Sequence, residues 1–428
     1  MGKFIIDGGH RVSGDVTPSG SKNEALPALA ACLLTDEEVV LDNVPRIRDV
    51  EVMSQILADC GASLSWEGSN RLRVRCSGAV KTALDPALCR RVRASVLFVG
   101  PMLARYHQVT LPPPGGDVIG RRKLDTHFDA LTSLGGQLDV GDAYRLTARE
   151  LTGISMFLDE ASVTATENAL MAAVLARGTT VIENAACEPH VQGLCRMLTG
   201  MGARIQGVGT NALTVEGVDR LHGTTHRIGP DYLEVGSYIG LAALIGDGVT
   251  IHDANPRELR KIVAVFEKLG VEMAFSGTQC FVPGRQNLRI RSDLHGAIPQ
   301  IDDAPWPQFP TDLMSIAIVV ATQSAGTVLF FEKMFEGRMF FVNSLIGMGA
   351  SIILCDPHRV VVAGPSRLFG TNLESPDVRA GMALLIASLA ASGKSVIHNI
   401  RQVDRGYERV DEKLRRLGAR IERVEDGA

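Results

Sequence analysis

The stretch "KSVIHNIRQVDRGYERVDEKLRRLGARI" (residues 394–421) carries the plan of the whole chain. Its first run, "KSVIH", is β-rich and ends in a turn. "VDEKLRRLGARI" then sets apolar positions at helical spacing beside charged ones, which predicts a helix with one face in solvent. The glycine of "LGARI" predicts the helix C-cap, where a residue with φ > 0 ends the helix and a strand begins. Just upstream, "DVRAGMALLIASLAASG" is apolar nearly all round, which predicts a buried helix.

The same order recurs. The β-runs "EEVVLDNV", "HQVTLPPP", "TTVIENAA", "GVTIHDAN", "GTVLFFEK" and "KSVIHNIR" are each followed by a second helix and a closing glycine: Gly61, Gly135, Gly202, Gly270, Gly349 and Gly418. From the markers Leu41, Leu111, Ile182, Ile251, Leu329 and Ile397, that glycine lies 20, 24, 20, 19, 20 and 21 residues on. Such constancy marks six copies of one unit. Only the second copy is clearly lengthened. Its excess falls in "LPPPGGDVIGRR" (residues 111–122), a Gly/Pro loop with one acid, Asp117, beside Arg121 and Arg122. A loop inserted into a repeat points to function more than to plain connection.

Six βαβαββ-like repeats with buried inner helices predict an α/β protein of two pseudo-threefold domains, sheets outside and helices within. Residues 22–229 should form one domain and residues 1–21 with 230–428 the other, with a double-stranded hinge near residues 17–22 and 229–232. The length of 428 residues agrees with more than one core.

Apolar residues make up 45% and charged residues 21%, with a net charge of −4, so neither nucleic acid nor an anionic membrane is favoured as a partner. The eight cysteines show no CxxC pair and no zinc spacing with histidine; in settings such as "ALAACLL" and "SIILCDP" they predict reduced, buried thiols. No signal-peptide pattern opens the chain, and no apolar run approaches about 18 residues. These features predict a cytoplasmic protein.

Charged residues recur at the repeat beginnings: Lys22 and Asn23 in "GSKNEALP", Arg93 in "VRAS", Asp312 in "FPTDLMS", Asp377 and Arg379 in "PDVRAGM". After the β-runs come Arg48, Arg121 and Arg122, Arg338 and Arg405. If the repeats superpose, these sit at equivalent helix ends facing an interdomain cleft, where helix N-termini add partial positive charge and favour a phosphate or carboxylate. Asp312 and Asp377 also fit as helix N-caps. His127 reads as structural or binding. No phosphate loop, GxGxxG helix opening, GxSxG elbow or metal spacing is present.

Together, "GSKNEALP", "VRAS", "PPGGDVIGRR", "SVTATEN", "NAACEP", "FPTDL", "DVRAGMALL" and "VDRGYERVDEKLRRLGA" closely resemble the enolpyruvyl transferases along essentially the whole chain, and within them the branch acting on UDP-N-acetylglucosamine. The resemblance implies a two-domain inside-out α/β barrel. It implies transfer of the enolpyruvyl group of phosphoenolpyruvate to the sugar 3-hydroxyl with release of phosphate, the committed step toward peptidoglycan, with no metal or organic cofactor. Lys22, Arg122 and Arg405 would clamp phosphoenolpyruvate, with Arg93 and Arg379 nearby. Asn23 and Asp312 would hold and deprotonate the hydroxyl. Asp377 would be a cleft aspartate, Asp125, Ser162 and Val163 would meet the uridine diphosphate, and Met334 would touch substrate. A monomer or weak homo-oligomer is expected.

Most members of that family carry a cysteine at the position of Asp117, on a mobile lid, as the acid that protonates phosphoenolpyruvate. Fosfomycin alkylates that cysteine, and a carboxylate is a far weaker nucleophile, so resistance is expected. Other departures touch the nucleotide side. Lys123 stands where proline is frequent, Glu160 where some members have lysine, and Thr164 replaces a glycine. These leave open another acceptor, either a different nucleotide or shikimate 3-phosphate. Six α/β repeats also build DNA sliding clamps, but a clamp's helices are wet and basic, and these are apolar.

Overall fold

The computed structural model describes residues 2–78, 80–116 and 119–425. The strand that follows each buried helix pairs with a parallel strand on one side and an antiparallel one on the other, and an outer antiparallel strand completes the sheet. The third copy runs Ser155–Phe157, Thr179–Glu183, Ala212–Glu216, Arg204–Gln206; the fifth runs Gln300–Asp302, Gly326–Phe331, Arg359–Gly364, Ile352–Asp356. In the second copy three strands appear, Gln108–Leu111, Tyr144–Thr147 and Gln137–Val140, and a lone parallel bridge between Ala83 and Thr110 stands at the edge position.

Three strands come from distant sequence. Val12–Val16 is the parallel edge for Gly246–Ile251, and Thr224–Arg227 is that for Glu38–Asp42. Lys3–Asp7 fills the central place of the sixth sheet, antiparallel to both Lys394–His398 and Arg420–Val424.

The chain forms two compact units. One comprises Met1–Ser19, Val118–Arg121 and Pro230–Ala428; the other comprises Gly20–Asp117 and Arg122–Gly229. Each has its own apolar core and three sheets. In the first unit the helices Tyr232–Ile245, Met314–Gln323 and Val378–Ala390 pack against one another, almost every residue closed to solvent. In the second, Lys22–Ala31, Val99–Tyr106 and Val163–Ala173 do the same, the middle one entered through a 3-10 turn, Arg93–Phe98. Their all-round apolarity is what lets them be buried on every side.

The second helices bury one face only. Pro256–Lys268 closes Leu259, Ile262, Val265 and Phe266 to solvent and turns its Arg, Lys and Glu residues outward. All six closing glycines have φ between 90° and 109°. At each, the following amide reaches back five residues, as Ala62 to Leu57, Ala203 to Leu198 and Ala419 to Leu414. An L side chain is disfavoured at that φ, so the recurring glycine of the sequence is a recurring Schellman cap.

Seven cysteines are buried, but Cys355 is exposed. The apolar setting of "SIILCDP" misled, because in the half-exposed strand Ile352–Asp356 alternate side chains face solvent. Among the described residues no helix is long and apolar enough to cross a membrane.

Candidate active site

In the first unit, Asp312 lies in the 3-10 turn Thr311–Leu313 that leads into the buried helix Met314–Gln323. It does not cap that helix. Its Oδ1 accepts from Arg338 Nη2 at 2.5 Å and its Oδ2 from Arg379 Nε at 3.0 Å. Both arginines are nearly closed to solvent. Burial opposes their charge, but Asp312 and neighbouring acids outweigh it, holding both guanidinium groups above their ordinary value. Arg379 stacks over the Tyr407 ring with its carbon Cζ 5.5 Å from the centroid, and the Tyr407 hydroxyl lies 3.0 Å from Ser237 Oγ.

Two buried donors of this cluster, Arg338 Nε and Arg379 Nη1, have no hydrogen-bond partner among the described residues. Orphaned guanidinium N–H groups beside a carboxylate suit an incoming anion, since a buried donor left unpaired is costly. Asp377 N-caps the helix Val378–Ala390, its Oδ1 accepting from the amides of Arg379 at 2.7 Å and Ala380 at 3.0 Å. Arg405 ends the turn Val403–Arg405 and donates to Gln402 Oε1 at 3.1 Å. Met334 is partly exposed and donates its amide to Glu332 Oε1 at 3.1 Å.

In the second unit, Lys22 and Asn23 open the helix Lys22–Ala31. Lys22 Nζ sits 2.7 Å from Asp49 Oδ2. Pro27 lacks the N–H that the Asn23 carbonyl would otherwise receive, so that carbonyl is left for other donors. Arg93 Nη2 donates to the carbonyls of Arg122 at 2.7 Å and Lys123 at 3.1 Å, holding the exit of the Gly/Pro loop. Burial, and then the nearby Arg122, bring Arg93 down to about 10. At the loop's entry the Gly115 amide donates to Cys89, and a Cβ there would stand 1.8 Å from the Arg90 carbonyl oxygen. Only glycine fits so close.

Asp117 lies outside the described residues. Beyond it, within the first unit, Ile119 accepts from the Gly337 amide at 2.9 Å and the Arg121 amide donates to Glu336 Oε1 at 3.0 Å.

The nucleotide-side candidates also lie in the second unit. Ser162 caps the helix Val163–Ala173, and Asp125 opens Asp125–Ser133. The hydroxyl of Thr164, which replaces the family's glycine, pairs with His127 Nε2 at 3.1 Å, and His127 Nδ1 lies 2.9 Å from Asn168 Nδ2. His127 is buried, held down at about 3 by burial and then by Arg93 and Arg122. Glu160 is matched by Lys123, with Nζ 3.9 Å from Oε1.

Sequence reasoning did not single out Asp49, Tyr407, Glu332 or Asp303 as site residues. Tyr407 and Glu332 stood inside quoted stretches, whereas Asp49 meets Lys22, and Asp303 meets Lys333, only through folding.

The model of EPSP synthase, 3-phosphoshikimate 1-carboxyvinyltransferase, matches residues 6–427. The UDP-N-acetylglucosamine 1-carboxyvinyltransferase of Treponema denticola is 54% identical over 422 residues, covering 99% of each chain. That of Borreliella burgdorferi is 54% identical over 425 residues, again covering 99% of each. Among solved structures, the enolpyruvyl transferase NikO from Streptomyces tendae matches with a TM-score of 0.88 over 100% of both chains, at 23% identity. An EPSP synthase from Acinetobacter baumannii matches at 0.76 over 99% of this chain and 100% of its own, at 18% identity. These two likenesses speak for the fold, the two-domain inside-out barrel of enolpyruvyl transferases. By sequence along its full length, the chain belongs to the EPSP synthase family of 1-carboxyvinyltransferases, in the group of the UDP-N-acetylglucosamine 1-carboxyvinyltransferases.

Proposed function

We propose that this protein is an enolpyruvyl transferase that moves the enolpyruvyl group of phosphoenolpyruvate to the 3-hydroxyl of UDP-N-acetylglucosamine and releases phosphate, committing the sugar to peptidoglycan. The observation that carries the reading is full-length identity of 54% to relatives named for that reaction. The family model is named for a shikimate acceptor, yet identity this high over 99% of both chains favours the nucleotide sugar.

Lys22, Arg122 and Arg405 neutralise and orient phosphoenolpyruvate, with Arg93 and Arg379 beside them; fixed charges need no rearrangement as the reaction proceeds. Asp312 takes the proton of the sugar hydroxyl as its oxygen bonds to carbon 2, and Asn23 holds that hydroxyl. Asp117 gives a proton to carbon 3. The tetrahedral adduct then breaks its bond to the phosphate oxygen while a carbon-3 proton leaves, restoring the double bond. At an ordinary carboxylate value of about 3.9, Asp117 is neutral in only about one molecule in a thousand at pH 7. Its role as acid therefore depends on the negative charge of bound substrates raising it. Asp125, Ser162, Val163 and Met334 contact the nucleotide sugar, Asp377 orders the helix that bears Arg379, and the chain acts in the cytoplasm as a monomer or weak homo-oligomer.

The test is phosphate release from phosphoenolpyruvate with UDP-N-acetylglucosamine or shikimate 3-phosphate offered separately. Release with the nucleotide sugar alone supports the reading. Release with shikimate 3-phosphate alone, or with neither, defeats it.

A further inference from the structure

Two carboxyl side chains unused by this mechanism, Asp303 and Glu332, are fully closed to solvent in the first unit. Glu332 stands at the end of the strand Gly326–Phe331, its backbone pinned to His358: the Glu332 amide donates to the His358 carbonyl at 2.8 Å, and His358 Nδ1 donates to the Glu332 carbonyl at 2.7 Å. The Glu332 carboxyl gathers two separate pieces of chain. From one, the Thr311 hydroxyl donates at 2.9 Å to Oε2, and Asp312 is the next residue. From the other, the amides of Met334 and Phe335 donate to Oε1 at 3.1 and 3.0 Å, and that piece runs on to Arg338. The two pieces meet again in the Arg338–Asp312 ion pair.

Asp303 stands behind this junction. Its Oδ1 accepts the Lys333 amide at 2.6 Å, while its buried Oδ2 finds no ordinary donor among the described residues. The neighbouring Glu332 carboxyl, equally closed to solvent, can supply that donor only by keeping its proton. Burial and then this contact with Asp303 push Glu332 up to about 9.

We propose that Glu332 is a positioning residue that fixes the turn bearing Asp312 against the segment bearing Arg338. A neutral acid suits the task. It accepts from Thr311, Met334 and Phe335 and donates to Asp303, so a single side chain satisfies both segments without burying two like charges side by side. A displaced Asp312 would reach the sugar hydroxyl poorly, and misplacement by about 1 Å costs roughly 100-fold in rate. Binding of phosphoenolpyruvate, which Lys22, Arg122 and Arg405 carry, would change little.

The inference rests on the functional reading above, and wild-type turnover tests that reading separately. In full-length protein, Glu332→Ala should lower kcat about 100-fold with the KM for phosphoenolpyruvate within about threefold. Glu332→Gln, which keeps an acceptor and supplies an N–H toward Asp303, should stay within about threefold of wild type. Thr311→Val, which leaves the acid pair intact, should lower kcat about tenfold. Wild-type kcat in Thr311→Val, or equal losses in the Gln and Ala variants, overturns the proposal even if Glu332→Ala does not fold. Infrared spectra need no turnover. Wild type minus Glu332→Gln at pH 7 should show the carbonyl stretch of a protonated carboxyl, and its absence overturns the shared proton whatever the acceptor proves to be.

Discussion

Lys22 Nζ and Asp49 Oδ2 lie 2.7 Å apart, with only 12% and 5% of their side chains exposed. Two charges so enclosed depend on each other. Asp49→Ala should cost about 3 kcal/mol in denaturant unfolding, because a desolvated ammonium is left without its counter-charge. Phosphoenolpyruvate should then stabilise the variant more than it stabilises wild type, since its anionic groups take the vacated place at Lys22. Equal stabilisation of the two proteins would remove Lys22 from the clamp.

Asp312→Asn keeps the shape of the side chain and one acceptor for the paired arginines but cannot take a proton at neutral pH. Phosphate release should fall about 1,000-fold with the fold intact by circular dichroism. Near-wild-type turnover would mean that another group is the base.

Lys123 and Glu160 illustrate what the sequence withholds. Each looks discordant alone, a lysine in place of proline and an acid near a diphosphate, and 37 positions separate them. Folding sets them 3.9 Å apart, where each offsets the other's charge. Glu160→Lys should lower the KM for the nucleotide sugar about fivefold at low salt, and the gain should shrink as salt screens it. Stability should change by no more than about 0.5 kcal/mol, since the pair is largely exposed. A KM that rises or does not move would place the diphosphate elsewhere.

His127 is held at about 3 in the folded chain, against about 6.5 when unfolded. The unfolded state therefore binds the extra proton first as pH drops. Stability from keeping this imidazole neutral is complete above about pH 6.5 and is lost progressively down to about pH 3, amounting to roughly 2 kcal/mol at pH 5. His127→Asn should be less stable than wild type at pH 7 yet lose less on going to pH 5. Parallel losses in the two proteins would show that other groups govern the acid limb.

Asp117 carries no thiolate to alkylate, so fosfomycin should not inactivate the wild-type enzyme on preincubation, while Asp117→Cys should become sensitive over time. Mass spectrometry would settle the point, and an adduct on Asp117 would defeat the expectation.

Features fixed by near neighbours were readable in the residue order. The six glycine caps are set by a few adjacent positions, and the burial of the inner helices by unbroken apolarity, so both were visible. Features made by two distant segments were not. Asp303 and Glu332 are 29 positions apart, and nothing near either one marks it as half of a pair. Cys355 failed for a related reason, since an apolar neighbourhood does not say which face of a strand a side chain takes. Asp117, expected to sit on a lid, lies outside the described residues.

The strand Lys3–Asp7 occupies the centre of a sheet whose other members all lie beyond residue 371. On the ribosome this makes the earliest strand among the last to find its place. At about 5–20 residues per second, "KFIID" waits roughly 20–80 s for its neighbours to be synthesised. The second unit has all its strands once residue 229 has emerged, and can close meanwhile. Birth of the molecule is thus inverted: its middle is finished first, and its two ends complete one another.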